Sequence, residues 1–325
     1  MRDARGAESN RGLGPSEDQY RGALVGLALG DALGAPHEGG PLERLVWRWL
    51  GWTRGGLRRF TDDTQMALDV AESLLSCGDV DQDDLARRFS RSYRWDRGYG
   101  PGAARVLRRI RAGKAWREAS RSVYPAGSFG NGGAMRAPVV GLFFHRFPDR
   151  LASAARLAAE VTHAHPLGME GAALVAEATA AALDGADGHG ILERAARAAS
   201  SAEYVDALGL SGSWLESRSS PSARDVRVRL GMGITAPRSC VTALYVAGRF
   251  LQDPLEALLA FVVEAGGDVD TVGAMAGAFW GARFGLGSLP PSVVRSVEDA
   301  ARIEDIATQL YRRSRTLTGP VAGPG

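Results

Sequence analysis

The sequence lacks the features that mark secreted and membrane-spanning proteins. Its two cysteines, Cys77 and Cys240, are too few for a disulfide framework and have no CxxC spacing. Charged residues follow Met1, where a signal peptide would have an apolar stretch, and no apolar run approaches the roughly 18 residues of a membrane span. These absences predict a cytoplasmic protein with ordinary thiols and no membrane partner.

Net charge is also scarce. The chain carries 39 basic and 37 acidic side chains, a formal balance of +2, which is too even for a protein that depends on nucleic-acid phosphates. The arginine-rich segment 105–117 is therefore predicted to be a solvated helix face, with docking to nucleic acid as the minority alternative. We expect a monomer without a nucleic-acid partner.

Several catalytic motifs are missing as well. The chain has no GK[ST] phosphate loop, no strand ahead of its glycine-rich segment, and no G-x-S-x-G elbow, which argues against ATP binding, NAD binding and acyl transfer by these routes. His163 and His165 form an H-x-H pair without a cysteine or third histidine nearby, which is weak evidence for zinc. The two histidines are expected to contact substrate or to satisfy a helix terminus.

Helix-forming stretches are what the chain has in abundance. Alanine- and leucine-rich segments have helical spacing, the 42 glycines suit the loops between them, and no series of alternating strands is present. We predict an all-α fold in one compact domain over 19–314, with flexible segments at 1–18 and 315–325 and the loosest interior stretch at 211–229. Helices are predicted at 65–76, 83–94, 151–162, 168–184, 191–202, 239–251, 254–265 and 291–312.

Two acidic clusters stand directly before apolar helical stretches. In the first, Thr61 can cap a helix whose first turn holds Asp62 and Asp63. In the second, Asp268 and Asp270 precede a stretch so rich in small and apolar residues that we expect it to be buried. Buried aspartates need protons, partners or a metal, and oxygen donors suit Mg²⁺, Mn²⁺ or Ca²⁺ better than Zn²⁺.

Glu38 adds a third acidic feature, after a glycine-punctuated helix. If Glu38 and the four aspartates converge, two divalent cations nearly neutralise the five carboxylates, whereas one cation leaves a strongly negative site. The charge balance therefore favours a two-metal centre. The alternative is that the clusters lie far apart as solvated helix caps, and spacing alone leaves both possibilities open.

A glycine-rich loop at 127–138 precedes an apolar segment. Such a loop can turn several backbone N–H groups toward a phosphate, or it can be a flexible turn. The loop is the third of five segments that carry a resemblance. They are GALVGLALGDALGAPHE (22–38), FTDDTQMAL (60–68), GSFGNGGAMRAPVVGL (127–142), THAHPLG (162–168) and GGDVDTVGAMAGAFWG (266–281).

Together these segments resemble the ADP-ribosylglycohydrolase family, the family of the dinitrogenase reductase-activating glycohydrolase. The resemblance runs from Tyr20 to about Tyr311. It implies an all-helical domain with a binuclear Mg²⁺ or Mn²⁺ site in a central cleft. There the bond between ADP-ribose and a modified protein side chain is hydrolysed, and ADP-ribose is released.

The resemblance also assigns roles to individual positions. Glu38 is the expected base or proton shuttle, with Asp63 as the second catalytic residue. The expected metal ligands are Thr61, Asp62, Asp63, Asp268, Asp270 and Thr271. The expected wall around the diphosphate and distal ribose consists of Gly127, Ser128, Phe129, Gly130, Asn131, Gly132 and Met135, with His163 nearby. Gly233 and Ile234 are further expected substrate-binding residues.

The segment from Gly231 to Ala236 resembles one in the branch of the family that acts on O-linked, serine-type ADP-ribose, and this linkage is therefore favoured. Arginine-linked ADP-ribose is the alternative, because the bacterial activating enzyme acts on arginine. A third possibility is a non-catalytic relative that only binds ADP-ribose. Every acidic position that the family uses is filled here, which favours an enzyme.

Overall fold

The computed structural model describes residues 14–317. Within that range the chain forms helices and loops, and its β-structure is limited to isolated β-bridges. The all-α prediction is confirmed. The first eight helices are α1 Glu17–Gly34, α2 Pro41–Leu50, α3 Asp62–Cys77, α4 Gln82–Ser92, α5 Pro101–Arg111, α6 Trp116–Arg121, α7 Ala137–Phe144 and α8 Pro148–Glu160. The others are α9 Pro166–Leu183, α10 Gly188–Ala196, α11 Ala202–Glu216, α12 Ala223–Arg229, α13 Cys240–Arg249, α14 Leu255–Ala265, α15 Val269–Phe284, α16 Pro291–Val294 and α17 Ala300–Thr316.

Helix ends agree with the sequence pattern within a few residues over most of the chain. The predicted helices α3, α4, α8, α9, α13 and α14 are all present. Helix α1 begins at Glu17 and α17 ends at Thr316, while 1–13 and 318–325 of the predicted flexible ends lie outside the described residues. None of the helices described is long and apolar enough to cross a membrane.

Three predictions about the helices are wrong. The stretch 291–312 is not one helix, because Asp299 has a φ of +54° and separates α16 from α17. The stretch 211–229 is mostly helical: α11 runs to Glu216, and a capping box between Ser222 and Asp225 starts α12. The helix predicted at 191–202 ends at Ala196, so the stretch belongs to α10 and the start of α11.

The break before α17 has a tertiary cause. The backbone N–H of Arg58 donates to the carbonyl of Ser296 at 2.7 Å, and the N–H of Glu298 donates to the carbonyl of Arg58 at 2.9 Å. The carboxylate of Glu298 accepts from the backbone N–H of Phe60 at 3.0 Å and also pairs with the buried Arg97. This segment therefore fixes the chain just ahead of α3.

Helices α1 and α15 form the centre of the fold and pack closely through glycines. A Cβ placed on Gly26 would lie 2.2 Å from the carbonyl oxygen of Gly277, and one on Gly30 would lie 2.0 Å from that of Gly273. Only glycine permits this approach of two backbones. Helices α9 and α13 pack around α15 in turn, so that α15 is buried as predicted.

Candidate functional site

A cleft opens where the N-termini of α3 and α15 meet the glycine-rich loop. Its acidic side is lined by Glu38, Asp62, Asp63, Asp268 and Asp270. The two acidic clusters, which are about 200 residues apart in sequence, are thus brought to one place: the hydroxyl of Thr271 donates to the carboxylate of Asp63 at 3.3 Å. Between separate helix caps and a shared acidic site, the structure supports the shared site.

The N-terminus of α3 is held by a buried carboxylate from α1. Asp31 accepts hydrogen bonds from the backbone N–H of Thr61 at 2.9 Å and of Thr64 at 3.0 Å, and from the Thr64 hydroxyl at 2.6 Å. The Thr61 hydroxyl accepts from the N–H of Asp63 at 3.2 Å and caps the helix. These contacts leave the carboxyl groups of Asp62 and Asp63 free to line the cleft.

Two overlapping carboxylate triads lie beneath this helix terminus. Asp31, Asp63 and Asp270 each place an oxygen within 4.8 Å of the others, and so do Glu38, Asp268 and Asp270. Asp270 belongs to both triads. The arrangement offers two adjacent sets of oxygen ligands, which is the donor chemistry that hard divalent cations prefer.

The electrostatics of the cluster show that it is built for a positive charge. Burial raises the pKa of Asp63 well above its ordinary range, and the charges of Asp31 and Asp62 raise it further. The pKa values of Asp62 and Asp270 are raised in the same way, by burial first and by neighbouring carboxylates second. The Oδ2 atom of Asp63 is buried and has no hydrogen-bond partner, which is costly unless a cation or proton reaches it. The donor set and this unpaired oxygen fit a divalent metal.

The glycine-rich loop and the segment from Gly231 to Ala236 form one continuous wall of the cleft. The N–H of Asn131 donates to the carbonyl of Ile234 at 3.0 Å, and the N–H of Ala236 donates to the carbonyl of Phe129 at 2.9 Å. The side-chain amide of Asn131 then donates to Asp268 at 2.5 Å. The wall is therefore tied directly to the acidic cluster.

Most of the predicted substrate-contacting residues line the cleft. They are Ser128, Gly130, Asn131, Gly132, Met135, His163 and Ile234. Five of the predicted metal ligands also line the cleft: Asp62, Asp63, Asp268, Asp270 and Thr271. Glu38 lines it as well.

Four predicted residues do not line the cleft. Gly127 has a φ of +84°, and a Cβ there would lie 2.4 Å from the backbone of Ala164, so its role is to make the turn. Phe129 is 46% exposed and packs on the ring of His165. Gly233 lies in the wall segment and donates to a backbone carbonyl. Thr61 is the buried cap of α3.

His165 caps the N-terminus of α9, which is one of the two roles expected for the histidines. Its Nδ1 accepts from the N–H of Leu167 at 3.1 Å at the start of α9. His163, in contrast, lines the cleft. The pair is thus divided between the two expected roles, and neither histidine belongs to the carboxylate triads.

Sequence reasoning missed two parts of the site. Asp31 was not predicted as a site residue, although a carboxylate inside an apolar, glycine-rich helix was a signal that could have identified it. The other missed part comprises Gly98, Gly100, Pro101 and Tyr124, which also line the cleft. The glycine- and proline-rich run at 98–102 was a signal that could have indicated the first three, whereas nothing in the sequence around Tyr124 does so.

Comparisons with known proteins agree with one another. The sequence model of a family described as ADP-ribosylglycohydrolase matches residues 14–319. A protein named ADP-ribosylhydrolase ARH3 from Danio rerio is 34% identical over 333 aligned positions, covering 90% of each chain. The Homo sapiens protein of the same name is 32% identical, covering 93% of this chain and 95% of its own. A solved structure titled ADP-ribosylglycohydrolase-related protein complex superposes with a TM-score of 0.64 at 31% identity, covering 92% of this chain and 98% of the other.

Proposed function

The chain belongs to the ADP-ribosylglycohydrolase family and is a hydrolase of ADP-ribosyl bonds, and we propose that the bond it cleaves joins ADP-ribose to a protein serine. The products are free ADP-ribose and the unmodified side chain. We further propose that the activity depends on two Mg²⁺ or Mn²⁺ ions. The protein is expected to act as a monomer in the cytoplasm, without a nucleic-acid partner.

The observation that carries the proposal is the pair of carboxylate triads that share Asp270 in the cleft. We propose that the ions are held by Asp62, Asp63, Asp268, Asp270 and Thr271, which line the cleft, together with the hydroxyl of Thr61, which caps α3 directly before Asp62 and Asp63. Divalent ions bound there would supply positive charge that orients the ribose hydroxyls and a water. The unpaired Oδ2 of Asp63 supports its role as a ligand.

The chain's own residues are proposed to supply the rest of the chemistry. Glycosidic cleavage passes through an oxocarbenium-like state and needs a carboxylate base or acid. Glu38 is partly exposed at the cleft, beside Asp268 and Asp270, where it can take the proton from water or return it to the leaving oxygen. Asn131 donates to Asp268 and keeps that carboxylate in place.

The glycine-rich wall is proposed to hold the diphosphate and the distal ribose. Ser128, Gly130, Asn131, Gly132 and Met135 all line the cleft. The serine linkage is supported by the resemblance of the segment around Gly233 and Ile234 to the branch that acts on O-linked ADP-ribose. Ile234 is 68% exposed and lines the cleft.

The test is release of ADP-ribose from two synthetic peptides, one modified on serine and one on arginine. With Mg²⁺ or Mn²⁺ present, the serine peptide should be cleaved much faster, and chelation should abolish cleavage of both. Faster cleavage of the arginine peptide would replace the proposed linkage while leaving the hydrolase intact. Binding of ADP-ribose without release from either peptide would make the protein a non-catalytic family member.

A further inference from the structure

Arg136 is a charged side chain with no exposed surface, at the start of α7. Its Nη1 donates to the carbonyl of Gly132 at 2.7 Å, and its Nη2 donates to the hydroxyl of Thr162 at 2.9 Å. The ring of Phe89 covers the guanidinium at 4.6 Å. Within residues 14–317 its hydrogen-bond partners are carbonyls, the hydroxyl and a thioether, and no carboxylate is among them. Burying a charge without a counter-charge is costly, so a contribution to the functional cleft would explain why an arginine is buried here.

The hydrogen bonds fix which atoms donate. A guanidinium only donates, and burial lowers the pKa of Arg136 to about 9, so it stays protonated at neutral pH. The Thr162 oxygen therefore accepts from Arg136. Its own proton has one acceptor within reach among residues 14–317, Nδ1 of His163 at 2.8 Å. Satisfying this proton makes Nδ1 the acceptor and assigns the ring proton to Nε2.

The Nε2 side of His163 faces the glycine-rich loop. A Cβ on Gly132 would lie 2.5 Å from Cε1 and 2.9 Å from Nε2, and one on Gly130 would lie 3.2 Å from Nε2, so glycine at both positions is what lets the ring pack this closely on the loop while His163 lines the cleft. Burial, with the Arg136 charge second, lowers the pKa of His163 to about 3. The ring is therefore uncharged at neutral pH and can donate only from the nitrogen that carries its proton.

We propose that Arg136 and Thr162 are positioning residues that hold His163 as the Nε2–H tautomer, which gives the cleft a fixed N–H donor for a diphosphate oxygen of ADP-ribose. The inference deepens the proposed function and rests on it for the identity of the ligand. The same guanidinium also holds the carbonyl of Gly132, so one buried charge orients both the loop and the ring that faces it.

The first test is nitrogen NMR of histidine-labelled protein, which tells the protonated ring nitrogen from the unprotonated one. In the wild type, the His163 signal, identified by its loss in His163→Asn, should show protonated Nε2 and bare Nδ1. Thr162→Ser keeps the hydroxyl and should keep this pattern. Thr162→Val removes the hydroxyl and should admit the other tautomer.

The second test is calorimetric binding of ADP-ribose in the presence of Mn²⁺. Thr162→Val should weaken binding about 3- to 10-fold, the effect of one lost neutral hydrogen bond, and Thr162→Ser should restore most of it. Thr179→Val is the matched control, because Thr179 is equally buried and its hydroxyl donates, among residues 14–317, to the carbonyl of Val175, away from the cleft. Its affinity for ADP-ribose should equal that of the wild type.

The outcomes separate the two proposals. Protonated Nδ1 in the wild type, or an unchanged tautomer and affinity in Thr162→Val, would overturn the positioning role. Should Thr162→Val fail to fold, the wild-type tautomer and the Thr162→Ser affinity still decide. Failure of the wild type to bind ADP-ribose would overturn the proposed function and the ligand named here, whatever the tautomer.

Discussion

At the scale of single residues, the carboxylates of the cleft differ in what satisfies them. Asp31 receives hydrogen bonds from Thr61 and Thr64 through both of its oxygens, which offset part of the cost of its burial, although burial still raises its pKa. Asp63 has one oxygen that receives only a long hydrogen bond from Thr271 and another that receives none. Of these two carboxylates, Asp63 therefore has the greater need of a cation, and Asp31 serves to position the start of α3 through Thr61 and Thr64.

Asp63→Asn should reduce the affinity for Mn²⁺ and the rate of ADP-ribose release roughly 100-fold, because a ligand charge is lost from the cleft. Asp69→Asn is the matched control on the same helix. Asp69 is also buried, with its pKa raised to about 7 by burial, but it bonds Ser92 and does not line the cleft. Metal titration and peptide hydrolysis measure both variants, and equal losses in the two would refute the assignment.

Glu38→Gln should lower kcat by about 10²- to 10⁴-fold, the usual contribution of a general base, while Mn²⁺ affinity changes far less. The amide keeps the size of the side chain and removes its capacity to take a proton. Steady-state hydrolysis and metal titration on the same preparation measure the two effects. Full turnover in this variant with metal bound would remove Glu38 from the proton-transfer role.

The residue pattern could be predicted where chemistry shows in the sequence. Adjacent carboxylates ahead of apolar helices indicated Asp62, Asp63, Asp268 and Asp270, and all four meet in the cleft. Tyr124 could not be predicted, because nothing local distinguishes it from other surface aromatics. Proximity to the cleft is a tertiary property that spacing along the chain does not encode.

At the scale of elements, the pairing of α1 with α15 decides where the site forms. Their glycines let the two backbones approach, and this approach carries Asp31 on α1 toward Asp270 on α15. A side chain between the helices would separate the carboxylates as well as the backbones. The stability of the fold and the geometry of the site therefore depend on the same contacts.

Gly26→Ala should lower the free energy of unfolding by about 1–3 kcal/mol, because its Cβ would meet the carbonyl of Gly277 at 2.2 Å. Gly209→Ala on α11 is the matched control. That glycine is exposed and helical with nothing within 4 Å, so alanine should raise stability by about 0.4–1 kcal/mol. Urea unfolding measures both. A Gly26→Ala variant as stable as the wild type would show that the close helix contact is unnecessary.

Most helices could be predicted from their apolar period, but some ends could not. The prediction failed at Asp299, where a bridge between Arg58 and the 296–298 segment overrides local helix propensity. It failed again at 211–229, where the serines look like loop residues but Ser222 acts as a helix cap. In both places a specific contact, and not the average composition, sets the boundary.

At the scale of the whole molecule, the pH dependence of stability reports on the acidic cluster. The raised pKa values of Asp62, Asp63 and Asp270 mean that the folded, metal-free protein binds more protons than the unfolded chain above pH ~4. The contribution of these groups to the free energy of unfolding is therefore most favourable at low pH. This contribution decreases as the pH rises from ~4 through the raised pKa values of the three aspartates.

Divalent ions should reverse this loss of stability at higher pH, since they bind the deprotonated carboxylates. The increase in Tm produced by Mn²⁺ over the metal-free protein should therefore grow as the pH is raised from about 5 to about 8. Thermal unfolding with chelator and with Mn²⁺ across this range measures it. In Asp63→Asn the increase should be much smaller, and a metal effect independent of pH would contradict the account.

Two acidic segments that are distant in sequence are together proposed to hold the divalent ions of an ADP-ribosyl hydrolase. Anomalous diffraction from crystals soaked in Mn²⁺ locates such ions. Two anomalous peaks are expected in the cleft, both within ligand distance of Asp270, with Asp63 bound to one of them. A cleft without anomalous signal at saturating Mn²⁺, or manganese bound only elsewhere on the protein, would contradict this proposal.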